Sequence, residues 1–254
     1  MEEWRLIIDT PADGYENMAV DETLLLSCDR GEPSTLRFYD WKSPTISIGY
    51  LQSYDPFYNI DLPVVRRMSG GRAVIHGTEV TYSISCNDGS PLFAEGINGS
   101  YRLISRALSH ALNDLSIEAT TVPSGKRLPT GGVRESCFAS TSRHEIVVDG
   151  KKVAGSAQRR LKNAFLQQGS VLFDVDRGMV EELFGERSLD GMAWLHLFGK
   201  VDKEEFRRAC VNRLEDLLDL RLSLSTLTAK EESVKERLIH EKYTSDRWNK
   251  RGLH

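Results

Sequence analysis

The chain has 254 residues, 40% of them hydrophobic and 28% charged, enough for one sizeable core. Its formal net charge of −4 gives no electrostatic fit to nucleic acid. No apolar run approaches the roughly 20 residues that span a membrane, which argues against a membrane protein.

In chain order, Glu3–Asp9 alternates loosely and predicts a first strand, followed by a turn from Pro11 to Tyr15. Glu16–Ser27 predicts a helix, with Met18, Leu24 and Leu25 apolar and Asp21 and Glu22 polar. Leu36–Tyr39 and Thr45–Ile48 predict short strands joined by D-W-K-S-P. Val64 and Val65 lead through Arg66 and Arg67 into a loop, Met68 to Arg72, with strands expected at Ala73–Ile75 and Thr81–Ser85. Ser100–Leu115 carries apolar residues at helical spacing from Leu103 to Leu115. Thr121–Ser142 is long, rich in Gly, Pro and Ser, and predicts a functional or disordered loop. Strands are expected at Glu145–Val148, Lys152–Ala157 and Ala164–Phe173, with a bulge or a close ligand approach at Gly169-Ser170. Helices are expected at Met179–Phe184, Lys203–Leu220 and Thr228–Tyr243, the last too polar for a core helix. Strands early and helices late, with some interspersion, predict an α+β or α/β domain on a mixed sheet. One domain is expected over 1–254, with a helical C-terminal segment from about 203.

The start, M-E-E-W-R-L-I-I-D-T, lacks the basic-then-apolar pattern of a signal peptide. Cys28, Cys86, Cys137 and Cys210 are widely spaced, without a C-x-x-C pair, so neither zinc nor a disulfide framework is suggested. The expectation is a cytoplasmic protein with reduced thiols. Cys28 and Cys210 fall on helix patterns and Cys86 at a strand end, all three read as structural, and the tryptophans read as core or edge packing.

Two stretches carry chemistry. In K-K-V-A-G-S-A-Q, residues 151–158, a lysine at a strand start precedes Ala154, Gly155, Ser156 and Ala157, which let a ligand approach the backbone. Cys137 lies fifteen positions before Lys152, and an ammonium beside a thiol favours the nucleophilic thiolate. The plainer alternative is a solvated hairpin lysine and a buried small cysteine. In V-V-R-R-M-S-G-G-R-A-V-I-H, residues 64–76, adjacent glycines after a strand let backbone N–H groups face an oxygen-rich or thioester ligand. Arg66, Arg67 and Arg72 are expected to surround that loop with positive charge, and His76 titrates near neutral pH. Here the plainer alternative is a turn with an exposed basic patch. Glu79 reads as a salt-bridge residue.

R-R-M-S-G-G-R-A-V-I-H resembles the signature of the lipoate–protein ligase and octanoyltransferase superfamily, which includes biotin ligases. K-K-V-A-G-S-A-Q is similar to its lysine motif. Asn17–Glu22, Trp41–Gly49 and Tyr243–Asn249 resemble further family segments, in family order and over nearly the whole chain. Three features favour the octanoyltransferases, of the type in Gram-positive bacteria, over the ATP-dependent ligases. Arg72 stands where ligases usually have a third glycine; G-T-E-V-T-Y-S follows His76; and E-S-C-F-A-S resembles the segment with the acyl-accepting cysteine.

The resemblance implies a biotin/lipoate ligase-like catalytic domain on a mixed, largely antiparallel sheet flanked by helices. It implies an octanoyl group moved from acyl carrier protein to a lysine of a lipoyl domain, the glycine cleavage H protein or a 2-oxoacid dehydrogenase E2. Cys137 and Lys152 would be catalytic. Ser69, Gly70, Gly71, Arg72, Ala73, His76, Gly155, Ser156 and Ala157 would bind substrate, with no metal or cofactor. An ATP-dependent lipoate–protein ligase and a non-catalytic lipoyl-domain binder are the competing readings.

Overall fold

The computed structural model describes residues 1–122 and 144–252. The chain opens with strand β1 (Glu2–Ile8), helix α1 (Gly14–Cys28) and strand β2 (Thr35–Tyr39), with β1 and β2 parallel, so α1 is the crossover that parallel pairing needs. Asp13 caps α1 by accepting the Glu16 backbone N–H at 2.9 Å. Three short strands follow, β3 (Thr45–Ile48), β4 (Val64–Arg66) and β5 (Val74–His76), which form a separate sheet in the order β4-β3-β5. β6 (Val80–Asn87) leads through helices α2 (Pro91–Ala94) and α3 (Gly96–Asp114) to β7 (Ala119–Thr121). β8 (Ile146–Val148), β9 (Lys151–Arg160) and β10 (Ala164–Val171) are antiparallel neighbours. Helices α4 (Arg177–Phe184) and α5 (Lys203–Leu218), strand β11 (Leu220–Leu224), and helices α6 (Ala229–Leu238) and α7 (Asp246–Arg251) complete the described chain. The main sheet runs β11-β1-β2-β6-β10-β9-β8-β7, parallel at its β11-β1-β2 end and antiparallel elsewhere. The expected mixed, largely antiparallel sheet flanked by helices is therefore present.

One face of the sheet packs on α3 and α5. Ile104, Leu108, Ala111 and Leu112 of α3 meet Phe206, Cys210 and Leu214 of α5 over Phe38, Ile84 and Phe165. A fully buried side chain such as Phe206 stabilises by about 1.5–3 kcal/mol. The other face packs on α1 and the C-terminal residues Tyr243 and Trp248. The small sheet and α4 bury a third cluster that includes Ile46, Ala73, Leu172 and Phe184. Among the described residues, no helix is long and apolar enough to cross a membrane.

Four expectations need correction. The polar positions of α1 are not solvated: Asp21 is buried against the sheet, where Arg37 of β2 pairs with it, and Glu22 is buried where α6 and the segment Ile239–Tyr243 cover the helix and Lys242 pairs with it. The segment from 203 is not wholly helical. Asp219 takes a left-handed φ of 51° that ends α5, and β11 then adds to β1 in parallel. The helix expected to Tyr243 becomes a π-helical turn from Ile239. Gly169-Ser170 carries no bulge, since β10 pairs in continuous register with both β6 and β9 there. The close approach at Gly169 is the Tyr82 ring, 2.4 Å from where a Cβ would stand.

Candidate active site

The glycine loop connects β4 to β5, and its two preceding arginines point inward. Arg66 donates through Nη1 to the carbonyls of Gly49, Tyr50 and Gln52 at 2.9, 2.9 and 2.7 Å, and through Nε to those of Trp248 and Asn249 at 3.1 Å. Arg67 donates to Ser47 O and Oγ at 2.9 and 3.0 Å and to the carbonyls of Gly70 and Arg72 at 2.8 and 2.7 Å. Both are buried, so the expected basic surround is corrected: two of its three cations tie backbone together, and burial pulls the Arg66 guanidinium below its ordinary range. Gly71 adopts a left-handed φ of 88° that only glycine takes without strain. Gly49 is needed because a Cβ there would stand 2.0 Å from the Gly71 carbonyl oxygen, whereas one on Gly70 would meet nothing within 4 Å among the described residues.

A relay of buried hydrogen bonds fixes the loop from the other side. Ser69 Oγ donates to Gln168 Oε1 at 2.5 Å, and Gln168 Nε2 donates to Asp21 Oδ2 at 2.7 Å. Asp21 also accepts from Arg37 Nη1 and Ser83 Oγ at 2.7 Å and from Tyr39 OH at 2.9 Å. Burial and this carboxylate push the Tyr39 phenol well above its ordinary range. Next to it, Glu22 accepts from Lys242 Nζ at 2.7 Å and from Tyr243 OH at 2.6 Å. The motif residues near both chain ends thus meet behind the loop.

In front of the loop lies a cleft of about 350 Å³, bounded by Gly70 and Gly71, Asn98 and Tyr101 of α3, His144, Glu145, and Ser156, Ala157 and Gln158 of β9. Strand alternation places Lys151 in solvent and Lys152 inside, fully buried. Lys152 Nζ donates to Glu145 Oε1 at 2.5 Å, so its charge faces a carboxylate on the cleft wall. Behind the cleft a narrow space of about 30 Å³ opens between Gly155–Ala157 and Gln168–Ser170 on one side and Trp41, Ser47, Val74 and His76 on the other. His76 stacks on Trp41 at 3.8 Å, with Nε2 2.7 Å from Ser47 Oγ and Nδ1 2.5 Å from Glu79 Oε1. Burial lowers the His76 pKa against the opposing pull of Glu79, so the ring is neutral at pH 7. With both nitrogens engaged, His76 is a fixed wall.

Of the residues expected to bind substrate, Gly70, Gly71, Ser156 and Ala157 border the cleft, and His76 and Gly155–Ala157 border the narrow space. Ser69 anchors the loop from beneath. Arg72 and Ala73 line neither space, and Ala73 is fully buried against the α4 cluster. Cys137 lies outside the described residues. The other three cysteines are buried, and burial pushes the Cys86 thiol up to about 12 and raises those of Cys28 and Cys210 well above the ordinary thiol range. Sequence reasoning missed Glu145, Tyr101 and Gln168. An acidic residue just before the apolar run of β8, seven positions before Lys152 across a hairpin, is the signal that could have pointed to Glu145.

The lipoyl protein ligase A/B catalytic domain family matches residues 13–226. Octanoyltransferase LipM of Brevibacillus brevis is 35% identical over 275 residues, covering 99% of this chain and 100% of the relative. Octanoyltransferase LipM of Bacillus subtilis is 34% identical over 272 residues, covering 98% of each. A chain from the structure of an archaeal lipoylation system, a bipartite lipoate protein ligase and its E2 lipoyl domain from Thermoplasma acidophilum, superposes with a TM-score of 0.82 at 22% identity. It covers 100% of this chain and 98% of its own, a likeness of fold. Matched over most of its length by the family and over nearly all of it by relatives a third identical, the chain belongs to the lipoyl protein ligase A/B catalytic domain family.

Proposed function

We infer that the chain is an octanoyltransferase of lipoate biosynthesis that takes octanoyl from acyl carrier protein onto Cys137 and passes it to a lipoyl-domain lysine. End-to-end identity with octanoyltransferases carries the reading of the reaction. The state of the other thiols carries the choice of nucleophile, because Cys28, Cys86 and Cys210 are buried and held protonated at neutral pH. Acceptors are lipoyl domains, of the H protein or of a 2-oxoacid dehydrogenase E2.

The chemistry balances in two exchanges. The Cys137 thiolate attacks the carrier thioester carbonyl, a new C–S bond forms, and the carrier thiolate leaves and takes a proton. The acceptor's neutral lysine amine then attacks the acyl-enzyme, an amide forms, and the Cys137 thiolate leaves while the amine proton departs. Lys152 donates toward the carbonyl oxygen as negative charge develops there. Because Glu145 offsets the Lys152 charge, its effect on a thiol is that of an ion pair, weaker than that of a bare ammonium. The acyl chain lies in the cleft past the small residues Ser156 and Ala157, and its end reaches the narrow space that His76 and Trp41 bound.

The test is intact-mass analysis after mixing with octanoyl acyl carrier protein. One octanoyl adduct is expected on the wild type and none on Cys137→Ala, while Cys28→Ala, Cys86→Ala and Cys210→Ala keep the adduct. Near-normal transfer by Cys137→Ala, or robust lipoyl-domain modification from free octanoate, ATP and magnesium with pyrophosphate release, replaces this reading with a ligase.

A further inference from the structure

A second cavity, of about 140 Å³, lies beyond β5 between that strand and α4. Its walls are mostly apolar, from Leu172 after β10 to Met179, Val180 and Phe184 of α4 and Met192. Against the roughly 30 Å³ that one water occupies in the liquid, this is room for several methylenes. Val74 and His76, which share one face of β5 by the two-residue alternation of a strand, border both this cavity and the narrow space behind the cleft. His76 is held by the Trp41 stack, Ser47 and Glu79 and cannot swing aside without breaking all three contacts. Val74 has only packing to hold it, and shortening it removes part of the wall without stranding a polar group.

We propose that Val74 is the partition that sets the upper limit of acyl-chain length, and that the cavity behind it takes the tail of a longer acyl chain once Val74 is shortened. The proposal rests on the octanoyltransferase reading. A single methylene in an apolar pocket changes discrimination about 10- to 200-fold, so a wall of two methyl groups is enough to separate eight carbons from twelve.

The experiment offers wild type, Val74→Ala and Val74→Leu equimolar mixtures of hexanoyl, octanoyl and dodecanoyl acyl carrier protein with a lipoyl domain. The products are counted by intact mass. Val74→Ala should raise the dodecanoyl-to-octanoyl ratio at least about tenfold over wild type. Adding Val180→Phe, which fills the second cavity, should return that ratio toward the wild-type value. Val74→Leu should shift the products toward hexanoyl, and it carries the test alone if Val74→Ala does not fold. Ratios within twofold of wild type in variants that still transfer octanoyl overturn the proposal and leave the octanoyltransferase reading standing. A wild type that transfers no acyl group from any carrier thioester sinks both.

Discussion

Asp21→Asn is the substitution whose cost the structure states most directly. Asp21 is fully buried and accepts four hydrogen bonds, two on each oxygen. Replacing one oxygen by an NH2 turns two of those donors toward another donor. It also removes a charge partner from Arg37, whose side chain is 1% exposed and whose remaining carboxylate, Asp9, is 31% exposed. Breaking a buried ion pair from one side costs about 3–5 kcal/mol, because an uncompensated charge stays inside. In a chain of this size each kcal/mol moves the melting temperature by about 2–4 °C, so calorimetry should find Tm lower by about 6–20 °C. Asp246→Asn is the control: its partner is Lys250 at 2.7 Å, but the carboxylate is 79% exposed, and the change should cost less than about 1 kcal/mol. Octanoyl transfer, measured well below the lowered Tm, should fall as well, because Gln168 loses the partner that orients it toward Ser69. An Asp21→Asn protein that melts within 2 °C of wild type would refute this account of the buried hub.

Gly49→Ala and Gly70→Ala should separate scaffold from cleft. The first sets a Cβ against the Gly71 carbonyl and should destabilise by about 1–3 kcal/mol or more, whereas the second should leave stability within about 0.5 kcal/mol yet lower octanoyl transfer, as substrate meets the new methyl. Equal melting temperatures for the two variants would show that the loop does not pack on Gly49 as described. Acid should act through His76: its folded pKa is lowered below 6.5, so below pH 6.5 the unfolded chain binds a proton that the native ring resists, and stability falls with pH by up to about 1.4 kcal/mol per unit. Glu79, lowered below 4.5 by His76 and the Gly77 N–H against the opposing effect of burial, adds its own loss only below that value. Urea titrations of wild type and His76→Gln between pH 7 and 5 should therefore diverge, and parallel curves would count against a neutral buried His76.

Most strands, though not β7, were legible because their apolar runs are short and bounded by Gly, Pro and Asp, and Ser100–Leu115 because one face alone is apolar. β11 was not legible: L-R-L-S-L continues the composition of α5, and only the left-handed Asp219 separates the two. The burial of Asp21 and Glu22 was hidden for a different reason. Local periodicity reports which side of a helix is polar, and nothing in it reports that Arg37 and Lys242, 16 and 220 positions away, fold back to pair with that side.

The same distance effect divides the motifs by role. Four of their charged members, Asp21, Glu22, Arg66 and Arg67, are buried and hold one segment to another. Their small members, Gly70, Gly71, Ser156 and Ala157, border the cleft, with Gln158 beside them. Low dielectric explains the division. A buried ion pair or a guanidinium saturated by carbonyls ties a loop to its scaffold with directional bonds, and a loop so tied holds its glycines at a fixed distance from β9. Lys152 belongs to both groups, buried like the scaffold charges and paired with a carboxylate on the cleft wall. A motif in this family is therefore as much a record of how the cleft is held open as of what reacts in it. An arginine beside two glycines predicts a braced loop before it predicts an anion site.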